Sequence, residues 1–144
     1  MRKAKKGSAM SDEKQPDGEA TLRVLAMPSD VNINGDIFGG WVLSQMDIAS
    51  GIIAAQRAKG RVTTVAVDAM QFIRPVQVGD ILCVWAWVER VGRSSMAIKI
   101  DAWAVRHRHG ATEKVTEAVF TYVAIDEDGA PRPVPDEEAA WPRR

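Results

Sequence analysis

Residues 37–56 read IFGGWVLSQMDIASGIIAAQ, and this stretch decides the fold. It carries a single formal charge, Asp47, near its centre, and its apolar residues leave almost no polar face. A helix that is apolar nearly all round is buried in a protein or in a membrane. Its glycines, its serines and the central acid, which costs about 2.5–3.5 kcal/mol in a bilayer, argue against a membrane span. We therefore predict a buried central helix over residues 40–58, ended by Lys59 and Gly60.

The rest of the chain predicts strands. Residues 21–27 are typical of a short first strand, and four longer strands are predicted at 62–73, 81–91, 96–105 and 114–125. Short turns join antiparallel neighbours, so the expected fold class is α+β, with one helix packed on one antiparallel sheet.

The strand 81–91 is apolar on both faces. Trp85 and Trp87 share one face by the period of two, whereas Val84 and Ala86 point the other way. One helix covers only one face of a sheet, so a monomer would leave a large apolar patch in water. We therefore predict a homo-oligomer.

Length and charge limit the remaining possibilities. The 144 residues fit one domain at 21–126, with a disordered basic and polar tail at 1–20 and a polar, Pro-rich tail at 127–144. Lys plus Arg (19) equals Asp plus Glu (19), which predicts no nucleic-acid or membrane partner. The single cysteine, Cys83, excludes an intrachain disulfide. No apolar run follows the basic start, so we expect no secretory signal and a cytoplasmic location.

Asp47 is the first candidate for chemistry. A carboxylate in a buried helix is costly unless it is paired, hydrogen-bonded or functional. Two interpretations are equally weighted from the pattern: a structural Asp bonded to a neighbouring hydroxyl or backbone N–H, and a general base or nucleophile facing a cleft.

The second candidate is the loop NINGDIFGG at residues 32–40, which leads into the helix. Gly39 and Gly40 lack side chains where free backbone N–H groups and the positive end of the helix dipole converge, so they could hold an oxyanion or a polarised carbonyl. The alternative is a plain Gly-rich turn in which Asp36 caps the helix.

Helical geometry separates these two candidates. Gly40 and Asp47 are seven residues apart, so they share a face but lie about 10.5 Å apart along the axis. An acid cannot serve a carbonyl held that far away on its own helix. We therefore predict a two-fold dimer in which the helix start of one subunit meets Asp47 of the other, giving two composite sites.

Weaker signals complete the survey. The turn at residues 92–95 (GRSS) offers a cation and two hydroxyls to phosphate oxygens, although a plain hairpin turn is the more common meaning of such a sequence. His107 and His109 lack a nearby cysteine or acid at ligand spacing, so no metal site is predicted. Serine-hydrolase, P-loop and dinucleotide motifs are absent from the sequence.

Several of these stretches resemble one family, the YciA-type acyl-CoA thioesterases of the hotdog fold. The similar segments are 27–30 (MPSD), 32–41 (NINGDIFGGW), 44–47 (SQMD), 91–95 (VGRSS) and 118–124 (AVFTYVA). The resemblance extends over about residues 21–135, so it includes the whole domain. It implies a curved antiparallel sheet wrapped around a long central helix, two subunits joined into one sheet, and a trimer of such dimers.

The resemblance also implies roles for individual residues. The catalytic acid of the family falls on Asp47, and a second polar position, Asn in some relatives, falls on Asp36. The hypothesis from the helix start adds Gly39 or Gly40, whose N–H groups would hold the reacting carbonyl. The remaining residues implied to bind the acyl-CoA substrate are the loop residue Asn34, the strand residues Val65, Ala66 and Val67 for the pantetheine arm, and Arg93, Ser94 and Ser95 for the nucleotide.

The expected reaction is therefore hydrolysis of acyl-CoA to a free acid and CoA, with no cofactor or metal. Whether Asp47 acts as base or nucleophile stays open. One alternative is a hotdog hydratase or dehydratase, but these use a His near the helix start and residues 28–47 contain none. The other is a non-catalytic acyl-CoA-binding module, which would need an output domain that residues 1–20 are too short and polar to supply.

Overall fold

The computed structural model describes residues 14–68 and 70–137. Its elements are β1 (Leu22–Leu25), a 3-10 turn (Pro28–Asp30), α1 (Gly39–Ala58), β2 (Val62–Val67), β3 (Ile81–Val91), β4 (Ser95–Val105) and β5 (Thr112–Ala124). The five strands form one antiparallel sheet in the order β1-β3-β4-β5-β2, and the sheet curls around α1. The predicted α+β class and the helix on an antiparallel sheet are confirmed.

The helix begins and ends close to the predicted residues. At its carboxyl end Lys59 adopts a left-handed conformation, φ 55°, and the N–H of Gly60 donates to Ala55 O at 3.2 Å. One face packs into the core through Val42, Met46, Ala49, Ala54 and Ala58, all at most 2% exposed. Among the described residues, no helix is both long and apolar enough to cross a bilayer.

The prediction that the helix is buried on every side is wrong for the single chain. Ser44, Ile48, Ile52 and Gln56, spaced four residues apart, form an exposed stripe, with Ile48 50% and Ile52 40% exposed. We call these four residues the open helix face. The sheet covers only the opposite side of α1.

The strand predicted at 62–73 is also too long. β2 ends at Val67 because the chain leaves the ladder there and continues as a loop to Asp80. This loop makes isolated bonds to β5, from Asp68 N to Val119 O and from Ile73 N to Val115 O. The loop carries the chain across the sheet, so β2 is an edge strand beside β5 and not a neighbour of β3.

On the outer face of the sheet, the predicted large apolar patch is mostly covered within the single chain. Cys83, Trp85 and Trp103 form a small apolar cluster there, as the alternation in β3 predicted, but each is at most 8% exposed. Residues 14–20, assigned above to the disordered tail, lie against this cluster, and Trp85 Nε1 donates to Gly18 O at 3.1 Å. Trp87 of the same strand stays exposed, at 41%. α1 and β2 leave further apolar side chains open, namely Ile48, Ile52, Val65 and Val67.

A buried ion pair fixes the loop that precedes β3. Arg106 Nη1 contacts Asp80 Oδ2 at 2.6 Å and donates to Pro75 O at 2.9 Å. The pKa of Arg106 is raised: burial opposes its charge, but the hydrogen bonds that it donates to Asp80 and Glu113 outweigh that effect. The loop in turn accepts the N–H of Ile37 at Val76 O, 3.0 Å away, just before α1 begins.

Candidate active site

The start of α1 is held by the loop NINGDIFGG. Asn32 Oδ1 accepts the N–H groups of Asn34 (2.8 Å) and Asp36 (3.2 Å), and Gly35 supplies the turn with φ +85°. Asn34 is exposed, whereas Asp36 is half-buried and its carboxylate makes no hydrogen bond among the described residues. The loop is therefore ordered by its own amide–backbone bonds.

The helix start carries no side-chain cap. The N-cap residue is Phe38, so the alternative in which Asp36 caps the helix is wrong. The first N–H groups of a helix have no intrahelical acceptor, and here no side chain supplies one. A Cβ atom at Gly40 would meet nothing within 4 Å, while one at Gly39 would touch the Phe72 ring at 3.3 Å. This is open space beside free amide donors at the positive end of the helix dipole.

Asp47 lies two turns further on, half-buried and bonded to hydroxyls from two strands. Thr64 Oγ1 of β2 donates to Asp47 Oδ1 at 2.8 Å, and the Tyr122 hydroxyl of β5 contacts the same oxygen. Thr64 and Tyr122 are cross-strand partners in the sheet. Asp47 Oδ2 has no hydrogen-bond partner in the part of the chain that the structure describes. The bonds predicted for a structural Asp are thus present, but they occupy only one of its two oxygens.

Tyr122 is itself buried and held from the helix side. Its hydroxyl lies 2.9 Å from Ser50 Oγ and 2.9 Å from the Asp47 carbonyl oxygen. Burial and then the bond to Asp47 raise the pKa of Tyr122 to about 12. The phenol therefore keeps its proton at neutral pH and acts as a donor to the carboxylate.

Sequence reasoning missed Thr64, Tyr122 and Phe72. Tyr122 is the only tyrosine of the chain, and the alternation of β5 places it on the core face, which was the available signal. Its pairing with Thr64 depends on the register between β5 and β2, which no local pattern states. Phe72 lies beyond the end of β2, where a longer strand had been predicted.

The residues implied to bind CoA lie on β2 and at the β3–β4 turn. Val65, Ala66 and Val67 are exposed on β2, where a β-bulge interrupts the pairing with β5 between Thr64 and Ala66. Arg93, Ser94 and Ser95 form the β3–β4 turn, whose backbone accepts the N–H groups of Val134 and Ala124 at 2.8 Å. The Arg93 side chain is exposed and forms no ion pair within the described residues.

Among the described residues, no group of three His, Cys, Asp or Glu side chains lies close enough together to hold a metal ion. The absence of a metal therefore stays a prediction. The single chain also does not bring Asp47 to Gly39 and Gly40, because all three are on one helix.

Comparisons with known proteins agree on one family. The profile described as the thioesterase superfamily matches residues 34–111. The acyl-CoA thioester hydrolase YciA of Salmonella typhimurium is 52% identical over 123 residues, which cover 83% of this chain and 92% of that protein. A hexameric thioesterase from Yersinia pestis is 52% identical, with a TM-score of 0.80 over 85% of this chain and 99% of the other. A hexameric hotdog-fold thioesterase of Campylobacter jejuni is 40% identical, with a TM-score of 0.77 over 82% and 91%.

Proposed function

The chain belongs to the YciA-type acyl-CoA thioesterases of the thioesterase superfamily, and we propose that it hydrolyses the thioester of acyl-CoA to a carboxylic acid and CoA. One observation carries the proposal within this molecule. A half-buried carboxylate, Asp47, has one oxygen committed to two hydroxyls and the other free. A water molecule on the free oxygen would be held and polarised for attack on a carbonyl.

Asp47 and the start of α1 have different roles in the reaction. The carbonyl oxygen of the thioester accepts bonds from the N–H groups of Gly39 or Gly40, where the helix dipole stabilises the negative charge that develops. Asp47 Oδ2 takes a proton from water while the water oxygen attacks the carbonyl carbon. The tetrahedral intermediate then collapses, the carbon–sulfur bond breaks, and CoA leaves as a thiolate that takes up a proton. Direct attack by Asp47, giving a mixed anhydride that water then cleaves, uses the same atoms.

Two subunits supply these parts. The axial distance of about 10.5 Å between Gly40 and Asp47 prevents one helix from serving both roles. The open helix face and the exposed edge strand β2 lie next to each other, because Asp47 is bonded to Thr64. A second copy paired along β2 would extend the sheet and bring its own helix alongside this one in the opposite direction. This arrangement supports a composite site, with Asp36 and Asn34 near the carbonyl end.

The CoA portion follows the same surfaces. The pantetheine arm lies along the side chains of Val65, Ala66 and Val67, which are exposed in the single chain. The nucleotide lies at Arg93, Ser94 and Ser95, where an unpaired guanidinium and two hydroxyls suit phosphate oxygens. The trimer-of-dimers assembly is supported by the hexameric descriptions of the Yersinia and Campylobacter relatives. A cytoplasmic location stays a prediction.

The test is release of free thiol from a series of saturated acyl-CoA esters of increasing chain length and from one 2-enoyl-CoA. Hydrolysis predicts one thiol for each ester consumed. A hydratase would convert an enoyl-CoA without releasing thiol, and a binding module would retain the ester unchanged. Either of those results would replace the proposed function.

A further inference from the structure

We propose that Tyr122 is a positioning residue for the thioesterase reaction: through its hydroxyl it holds Asp47 by one carboxylate oxygen, so that the other faces the water. This inference rests on the proposed function. It also predicts a hydrogen bond between the Tyr122 hydroxyl and Asp47, which can be tested without measuring turnover.

The geometry makes Tyr122 the more rigid of the two holders of Asp47. Its side chain is 2% exposed, and its ring extends from β5 at the centre of the core cluster to the helix. The hydroxyl meets three helix atoms: Asp47 Oδ1, the Asp47 carbonyl oxygen and Ser50 Oγ. Thr64, by contrast, is exposed on an edge strand. A phenol anchored at both ends restricts the carboxylate to one orientation.

That restriction has a chemical consequence for the reaction. A carboxylate free to rotate would divide its time between several water geometries, whereas one held at Oδ1 offers a single free oxygen. Loss of the phenol oxygen would therefore loosen Asp47 and spread its free oxygen over several positions.

The side chains that hold the Asp47 carboxylate and the Tyr122 hydroxyl are themselves uncharged. β5 contributes Tyr122, β2 contributes Thr64, and α1 contributes Ser50. The core-facing residues of β3 and β4 are apolar: Leu82, Val84, Ala86, Ile98 and Ile100. Removal of the Tyr122 oxygen therefore changes one hydrogen bond of Asp47 and no ion pair.

The kinetic test is Tyr122→Phe, which removes one oxygen atom. We expect kcat to fall about tenfold with KM within about twofold. The matched control is Thr116→Val, six residues from Tyr122 on the same strand, which removes a buried hydroxyl bonded to Gln71 O. The control should keep both the kcat and the KM of the wild type. A kcat of Tyr122→Phe within twofold of the wild type, or a fall equal to that of the control, would overturn the proposal.

A spectroscopic test covers the case in which Tyr122→Phe fails to fold. Because Tyr122 is the only tyrosine, tyrosine labelled with carbon-13 at Cζ gives one resonance in the intact oligomer. We expect this resonance to lie at different chemical shifts in the wild type and in Asp47→Asn at neutral pH, because the acceptor of the hydroxyl changes from a carboxylate to an amide oxygen. The same chemical shift in both proteins would refute the contact. If Asp47→Asn instead keeps full turnover, the catalytic role proposed for Asp47 fails, and the resonance still decides the contact.

Discussion

Strands β4 and β2 both carry apolar residues but have opposite environments. β4 pairs with β3 on one side and β5 on the other, and most of its residues from Met96 to Ala104 are buried. β2 pairs only with β5, and Val65 and Val67 are 55% and 46% exposed. The centre of the sheet is thus complete within one chain, whereas its β2 edge is not.

We expect the complete region to determine stability and the incomplete region to determine function. The buried ion pair of Arg106 and Asp80 and the long ladders among β3, β4 and β5 belong to the complete region. Asp47, Thr64 and the open helix face belong to the incomplete one. Surface left unpaired at an edge strand normally invites association, and here it lies beside the one acid in the helix. Substitutions in the two regions should therefore fail in different ways.

The largest effect is expected from Asp47→Asn, which keeps the shape of the side chain and removes the base. We expect kcat to fall about a thousandfold, since general-base catalysis contributes roughly 10²–10⁴-fold, while the oligomer stays intact. Thiol release and light scattering measure the two quantities. Near-normal turnover would show that the incomplete region does not contain the reacting group.

The second-largest effect is expected from a charge placed on the edge strand β2. Val65→Lys places an ammonium group where a second strand would pair, so the dimer should dissociate and turnover should fall by about a hundredfold. Leu25→Lys is the matched control, because Leu25 is 49% exposed on the opposite edge strand β1. Size-exclusion chromatography with light scattering compares them. The same oligomeric state in both variants would contradict the proposal that the dimer forms at the β2 edge and not at the β1 edge.

A smaller effect on activity, with a clear effect on stability, is expected from Arg106→Met. It leaves Asp80, 1% exposed, without its partner, and breaking a buried pair in this way costs about 3–5 kcal/mol. Urea unfolding should show that loss. Lys99→Met is the control, because Lys99 and Glu117 form a partly exposed pair at 3.4 Å whose screened contribution is about 0.5 kcal/mol. Similar losses of unfolding free energy in both variants would contradict the expectation that the buried pair contributes more to stability than the exposed one.

The sequence predicted the complete region better than the incomplete one. Periodicity located α1 and β3 to β5 within two residues, because each buries a regular apolar face. It overextended β2 past Val67, since the apolar residues Met70, Phe72 and Ile73 continue the pattern of the strand although the ladder with β5 ends at Val67. Asp47 was found because a single charge in an apolar helix is conspicuous. Tyr122 and Thr64 were missed because their meeting depends on strand register, a long-range property.

The most direct test of the composite site mixes two inactive variants. Asp47→Asn lacks the acid, and Gly40→Val fills the open space at the helix start, where a Cβ atom meets nothing within 4 Å in the single chain. After dissociation and reassembly of an equal mixture, half of the dimers are mixed, and each has one intact site of two. We expect about one quarter of wild-type thiol release to return. Mixed dimers that form, as native mass spectrometry would show, yet remain inactive would contradict a site shared between subunits.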